Sequence, residues 1–134
     1  MTQLIRVLLV EDTLIAQVVA KSQMVKQGCD VDVAADGVNA LEKAMNKVYD
    51  LILMDIGLGD GPDGFEVTSQ IKNQCILNKD TPIAAVTSHN STEYLEKAVE
   101  VGMEHYFDKP FTPEDAKKIV DYIKTKMSNK AVGE

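Results

Sequence analysis

The chain has little of what several classes of protein require. It contains no tryptophan, two cysteines and two histidines, and aromatic residues make up only 5% of its 134 positions. Cys29 and Cys75 are far apart and form no CxxC motif, so we expect reduced core thiols of a cytoplasmic protein. His89 and His105 lack the spacing of metal ligands. These scarcities argue against a disulfide framework and against a metal site built on histidine or cysteine.

Basic charge and long apolar runs are also scarce. The formal net charge is −7, from 21 acidic and 14 basic residues, which argues against a nucleic-acid surface and is compatible with an acidic pocket. No apolar run approaches the length of a membrane span. The N-terminal stretch has one basic residue, Arg6, before acidic ones, which is unlike a signal peptide. We therefore expect a cytoplasmic protein without direct membrane or nucleic-acid contact.

The length indicates one folded unit. At 134 residues with 45% hydrophobic content, the chain can bury one core but has no room for a second. Residues 1–127 are expected to form this domain. Residues 128–134 carry few apolar anchors, so they are expected to form a flexible C-terminal tail.

Short apolar runs alternate with helical patterns along the chain. The clearest run is residues 51–54, four apolar residues that predict a strand buried on both faces, as in a parallel sheet. Similar runs predict strands at 5–10, 31–33, 82–86 and 104–108. Strict alternation with five helices predicts an α/β fold, a doubly wound five-stranded parallel sheet of order 2-1-3-4-5, flavodoxin-like.

Apolar residues at helical spacing locate the five helices, and the second and fifth are expected to bury one face. Thr112 and Pro113 mark the start of the fifth helix, as cap and first position. Met24, Met45 and Met127 are interpreted as core filler. The apolar residues that mark the helices are, helix by helix, Ile15, Val18, Val19 and Val25; Val38, Leu41, Met45 and Val48; Phe65, Val67 and Ile71; Leu95, Ala98 and Val99; and Ala116, Ile119, Val120, Ile123 and Met127.

Chemically reactive side chains follow four of the five strands. They are Glu11-Asp12, Asp55, Thr87 and Lys109, and the predicted strand order places them on one edge of the sheet. Facing carboxylates raise one another's pKa unless a cation lies among them, and hard oxygen ligands suit Mg²⁺. Asp55 could then act as a nucleophile on phosphorus, with the lysine and the threonine hydroxyl contacting phosphoryl oxygens.

With these residues, the chain resembles the receiver domain of two-component response regulators over residues 4 to about 127. The motifs that carry the resemblance are Glu11-Asp12, Met54-Asp55, Asp63-Gly64, Thr87-Ser88 and Lys109-Pro110. Residues 28–34, 36–37, 40–41 and 102–103 are most similar in pattern to receivers of hybrid sensor histidine kinases.

The resemblance implies phosphoryl transfer to Asp55 from a histidine kinase or a histidine phosphotransfer protein. It implies Mg²⁺, or Mn²⁺, held by Glu11, Asp12, Asp55 and the carbonyl of Gly57. Such a domain is not a conventional enzyme: it catalyses its own phosphorylation and slow autodephosphorylation. Kinase activity would belong to it only as part of a hybrid histidine kinase.

The resemblance also implies how a signal leaves the domain. Thr87 and Tyr106 would move together on phosphorylation, although from its position alone Tyr106 is an ordinary half-buried strand aromatic. A downstream protein would bind the face formed by the fourth helix, fifth strand and fifth helix. Because no DNA-binding or catalytic segment follows in this sequence, we expect output through such a partner.

The sequence departs from the family pattern at the rim of this site. The loop after the acceptor is one residue longer, with its proline at Pro62 and Gly59 at the usual proline position. Thr13 and Ala16 stand where hybrid receivers usually have asparagines, so docking of the phosphodonor is expected to differ. The turn after Lys109 predicts a cis peptide before the next residue, as the family also implies.

The lifetime of the phosphorylated form is a further hypothesis. Hydrolysis needs an in-line water, and Gly57 has no side chain to orient one. His89, two residues after Thr87, could bind a phosphoryl oxygen but is no carboxylate base. We therefore expect slow hydrolysis, with a solvent-facing His89 as the alternative.

Three other functions remain alternatives at this point. An aspartyl-phosphate phosphohydrolase would need a second aspartate where Gly57 stands. In a flavodoxin-type electron carrier, Glu11-Asp12 would repel the flavin phosphate, and the chain has no tryptophan to sandwich a flavin. A receiver fold used only as a binding module would not need the complete set of site residues.

Overall fold

The computed structural model describes residues 4–59, 61–88 and 91–132, with side chains as far as residue 129. Five strands alternate with five helices. The strands are β1 (Ile5–Val10), β2 (Cys29–Ala34), β3 (Leu51–Met54), β4 (Ile83–Thr87) and β5 (His105–Asp108). The helices are α1 (Leu14–Lys26), α2 (Gly37–Asn46), α3 (Gly64–Gln74), α4 (Thr92–Val101) and α5 (Pro113–Val132).

The sheet has the predicted topology. Its order is β2-β1-β3-β4-β5, and all four pairings are parallel. Alternate residues of the central strands supply two cores, one on each face of the sheet. Leu8 and Ile52 belong to the core under α2, α3 and α4, whereas Leu9 and Leu53 belong to the core under α1 and α5. The doubly wound prediction is therefore confirmed.

The predicted buried face is wrong for α2, and most of the apolar residues that mark α1 are exposed. Ile15 and Val18 are 76% and 61% exposed, and α1 instead packs on the sheet through Ala20 and Met24. In α2 the buried positions are Gly37, Ala40 and Ala44. Of the apolar residues that predicted these two helices, those found exposed are Ile15, Val18, Val25, Val38, Met45 and Val48, the last of which lies beyond the end of α2. In α2, small side chains let the helix approach the sheet closely, so the large apolar ones face outward.

The other three helices follow the prediction more closely. The predicted face of α5 is buried, with Met127 only partly so, and the apolar residues that mark α3 are buried as well. Helix α4 buries Ala98 and exposes Leu95 and Val99. Thr112 caps α5 by accepting a hydrogen bond from the Asp115 N–H at 3.1 Å. The helix continues to Val132, further than the sequence predicted. Within the described ranges, no helix has the length and apolar character to cross a lipid bilayer.

Candidate phosphoryl-transfer site

Backbone hydrogen bonds between neighbouring strands place the site residues. The Glu11 N–H donates to the Ala34 carbonyl at 3.0 Å, and the Asp55 N–H donates to the Val10 carbonyl at 2.9 Å. These bonds continue the parallel ladders one residue past the strand ends, so both carboxylates are held at the same edge of the sheet. The site therefore depends on sheet geometry rather than on a mobile loop.

Lys109 joins the carboxylates. Its backbone N–H donates to the Thr87 carbonyl at 2.9 Å, which extends the pairing of β4 and β5. Its Nζ lies 2.6 Å from Glu11 Oε1 and 3.2 Å from Asp55 Oδ2. The peptide bond to Pro110 is cis, as predicted. The sequence prediction that Lys109 meets Asp55 is thus correct, and the contact with Glu11 is additional.

Burial makes the charges in this cluster interact strongly. Glu11 and Asp55 are only 3% and 4% exposed. Desolvation raises the pKa of Glu11, and the nearby Asp55 carboxylate adds to this effect, against the lowering by Lys109 and the Thr13 N–H. Burial alone would lower the pKa of Lys109, but the two carboxylates outweigh it, so the net shift is upward. A cation is therefore strongly favoured beside Glu11 and Asp55.

Asp12 is the exposed member of the acidic set. Its Oδ2 accepts a hydrogen bond from the Gly59 N–H at 2.9 Å, and the Gly57 N–H donates to Asp55 Oδ1 at 3.0 Å. The loop after Asp55 is thus bound at two points by carboxylates of the site. A capping box formed by Asp63 and Glu66 then starts α3. The role predicted for the Gly57 carbonyl stays a prediction.

The donor set fits a hard divalent cation. Glu11, Asp12 and Asp55 each offer a carboxylate oxygen, and these oxygens lie within 4.8 Å of one another. Mg²⁺ is bound by a few carboxylates together with waters and phosphate oxygens, and an exposed group such as Asp12 leaves room for the waters. The three residues that would hold Mg²⁺ are therefore together.

The structure brings Thr87 to the same edge of the sheet and Tyr106 close to it. Thr87 is the last residue of β4 and is fully buried. Tyr106 on β5 is half-buried against the core under α3 and α4, and burial raises its pKa. His89, predicted to affect hydrolysis, lies outside the described residues. The coupled movement of Thr87 and Tyr106 stays a prediction.

Two contacts at the site were not predicted from the sequence. Gln17 Nε2 donates to the Glu11 carbonyl at 2.7 Å, which ties α1 to the end of β1. Gly64 packs directly on the backbone of Asp55 and Ile56, and a Cβ there would lie 2.7 Å from the Ile56 Cα. The Asp-Gly pair at the start of the helix is a sequence signal for the close packing of Gly64. Nothing in the sequence pattern indicates the hydrogen bond of Gln17.

A pocket of about 510 Å³ opens beside the carboxylates. Glu11, Asp55 and Lys109 form its polar part, and apolar side chains form most of its wall. The apolar wall comes from β1, β4, α1 and the segment after Lys109, and it includes Ile15, Ala16, Val19, Val86 and Phe111.

Comparison with known proteins agrees with this geometry. The family model of the response regulator receiver domain matches residues 7–121. The chain is 35% identical over 128 residues to the transcription factor SKN7 of Candida albicans, covering 92% of this chain and 22% of that protein. It is 33% identical over 122 residues to the sensor protein EvgS of Escherichia coli K12, covering 91% of this chain and 9% of that protein. It thus spans less than a quarter of these relatives.

Solved structures give the same result. The chemotaxis protein CheY4 of Vibrio cholerae superposes with a TM-score of 0.81 at 30% identity, covering 90% of this chain and 99% of that one. The receiver domain of the sensor histidine kinase PA1611 from Pseudomonas aeruginosa, solved with a magnesium ion in its active site cleft, gives 0.80 at 30% identity. It covers 90% of this chain and 97% of that one. From the match of the family model, the fold and these relatives, the chain belongs to the response regulator receiver domains of two-component systems.

Proposed function

We propose that Asp55 accepts a phosphoryl group from a phosphohistidine, carried by a histidine kinase or a histidine phosphotransfer protein. The observation that supports this most directly is the position of Lys109, whose ammonium group lies 3.2 Å from Asp55 and 2.6 Å from Glu11. A buried carboxylate with a lysine at one oxygen and two further carboxylates nearby suits attack on phosphorus with cation assistance.

In this proposal each residue has a separate task. Asp55 supplies the attacking oxygen, and the bond from phosphorus to the donor nitrogen breaks as the new bond forms. Lys109 neutralises a phosphoryl oxygen, and the Thr87 hydroxyl binds another. Bound Mg²⁺, or Mn²⁺, would offset the negative charge shared by the carboxylates and the phosphoryl group. Glu11 and Asp12 would hold it together with Asp55 and the Gly57 carbonyl.

The exposed apolar face of α1 supports a protein as the phosphodonor. Leu14, Ile15 and Val18 are all more than half exposed, and Ile15 also lines the pocket beside Asp55. Contiguous apolar surface next to a site is typical of a binding interface. We place the phosphodonor there, so that its histidine reaches Asp55 from the side of α1.

A downstream protein would bind the opposite flank. The face formed by α4, β5 and α5 includes the exposed Leu95 and Val99 and the half-buried Tyr106. Movement of Thr87 and Tyr106 on phosphorylation would change this face. Phosphorylation would thereby alter the affinity for the partner.

The test is phosphorylation of the purified chain by acetyl phosphate, with and without Mg²⁺, followed by intact mass. We expect one phosphoryl adduct that requires the metal. Asp55→Asn should abolish it, whereas Asp80→Asn, which changes an exposed aspartate at the other end of the sheet, should not. An adduct on Asp55→Asn, or equal labelling in excess chelator, would contradict the proposal.

A further inference from the structure

The pocket beside Asp55 is larger and more apolar than a phosphoryl group requires. At about 510 Å³ it is in the range of sites for small organic molecules. Its charged groups are Glu11, Asp55 and Lys109, and the lysine contacts both carboxylates. The rest of the wall is mostly aliphatic and aromatic, so the pocket has one charged end and one apolar body.

The apolar wall combines a rigid floor with an accessible side. Val86 and Phe111 are buried, and Phe111 is held by an edge-on contact with Phe107 at 5.6 Å between ring centroids. Ala16 and Val19 on α1 are half-buried, and the small side chain of Ala16 leaves space at the mouth. An occupant would thus lose water from its apolar part without any movement of the core.

We propose that this pocket receives the leaving group of a small phosphodonor, and that the chain therefore prefers acyl phosphates with an apolar acyl group. The proposal rests on the proposed function of Asp55. Its charge pattern matches such a donor, since the phosphoryl group carries negative charge toward Lys109 and the cation site, and the acyl chain is apolar.

The chemical step needs no additional reactant. An Asp55 carboxylate oxygen forms a bond to phosphorus, and the bond between phosphorus and the acyl oxygen breaks. The electron pair of the broken bond leaves with the carboxylate product, so no proton is transferred and the total charge is unchanged. The acyl chain takes part only through its contact with the wall of the pocket.

Acetyl and butyryl phosphate provide the test, because acetate and butyrate are nearly equal leaving groups. Rates of adduct formation on Asp55 at limiting donor concentration give kcat/KM for each. Burial of two further methylenes should make butyryl phosphate about tenfold better, a difference of about 1.4 kcal/mol. Ala16→Leu should remove this preference, because its larger side chain fills the space that the acyl chain would occupy. Ser22→Leu, an exposed position on α1 outside the pocket, should keep the preference.

The possible outcomes overturn different parts of the reasoning. Equal kcat/KM for both donors, or a preference that survives Ala16→Leu, overturns this inference alone. Failure of every donor to label Asp55 overturns the proposed function as well. If Ala16→Leu does not fold, the test is methyl NMR of the original chain with unreactive phosphonates. Butylphosphonate should then shift the methyl resonances of Ile15 and Val19 where methylphosphonate does not, and equal shifts overturn the inference.

Discussion

Asn78, between α3 and β4, makes the largest set of buried side-chain hydrogen bonds at the edge opposite the phosphoryl-transfer site. Its Nδ2 donates to the carbonyls of Ala44 and Lys47 at 2.6 and 2.7 Å. Its Oδ1 accepts from the Tyr49 N–H at 2.8 Å and from the Thr81 hydroxyl at 3.0 Å. The side chain is fully buried. One amide thus joins the end of α2 to the segments that precede β3 and β4.

The cost of replacing Asn78 with alanine follows from these contacts. Four hydrogen bonds with a net contribution of about 1 kcal/mol each would be lost, and partners left unpaired in the interior cost more. Some water entry would lower the loss, so we expect about 3–5 kcal/mol. Since domains unfold with about 5–15 kcal/mol in total, this is a large fraction of the free energy of unfolding.

Urea unfolding followed by circular dichroism measures this cost. At an m-value of about 2 kcal/mol/M, the midpoint for Asn78→Ala should fall by about 1.5–2.5 M with the m-value unchanged. The matched control is Asn73→Ala, because Asn73 is exposed and its amide bonds only within α3, to the Ser69 carbonyl and hydroxyl. A loss below about 1 kcal/mol for Asn78→Ala would refute the reasoning, since it would mean that the four bonds are replaced by water without cost.

Three further predictions concern the site and one histidine. Lys109→Met should raise the affinity for Mg²⁺ about tenfold, because the ammonium group no longer competes for the carboxylates, and it should slow phosphorylation. Calorimetric titration measures the affinity, and an unchanged value would contradict the prediction. Burial lowers the pKa of His105, and the charges of two lysines lower it further. The folded state therefore favours the neutral ring, so the free energy of unfolding should fall as pH drops through and below about 6.5. His105→Gln should remove this dependence in urea unfolding at pH 5 and 7.5, and an identical pH slope in the variant would exclude His105 as its source. The double variant Gly57→Asn/His89→Glu should lose its phosphoryl group at least about tenfold faster than the original chain, measured by intact mass over time. If the original chain is already as fast, the hypothesis of slow hydrolysis is wrong.

The strand ends could be predicted from the sequence because their positions depend on few variables. Four apolar residues before Asp55 define a buried strand, and a parallel sheet of this size has few allowed orders. Once the order is known, residues that directly follow the strands must meet at one edge. The contacts of Lys109 with Asp55 and Glu11 follow from this geometry and not from local propensity.

Helix faces were predicted less well because a hydrophobicity pattern does not take into account how closely small side chains let a helix approach the sheet. In α2 the pattern of Val38, Leu41 and Met45 competes with a second stripe formed by Ala40 and Ala44. Two alanines allow the helix axis to approach the sheet closely, and dispersion contacts of the backbone then offset their small apolar area. The sequence contains both stripes, and only the available distance to the sheet decides between them.

The hydrogen bonds of Asn78 could not have been predicted in this way. Its partner Ala44 is 34 positions away, and both bonds of its amide group end on backbone carbonyls, which carry no sequence signal. Side chains that bond to backbone have no partner residue type to search for. Such contacts become visible only when the fold is known.

The exposed apolar side chains of α1 need a different explanation from those of α2. Leu14, Ile15 and Val18 remain in solvent although a helix of this amphipathic pattern could bury them by turning about its axis. The bond from Gln17 to the Glu11 carbonyl and the burial of Ala20 fix that rotation, and they leave the apolar stripe beside the pocket. Keeping large apolar side chains exposed forgoes burial energy of about 1.5–3 kcal/mol each, which is consistent with their use in binding. Local pattern and structure therefore disagree at a helix that also lines the pocket at Asp55, which supports the proposed binding of the phosphodonor there.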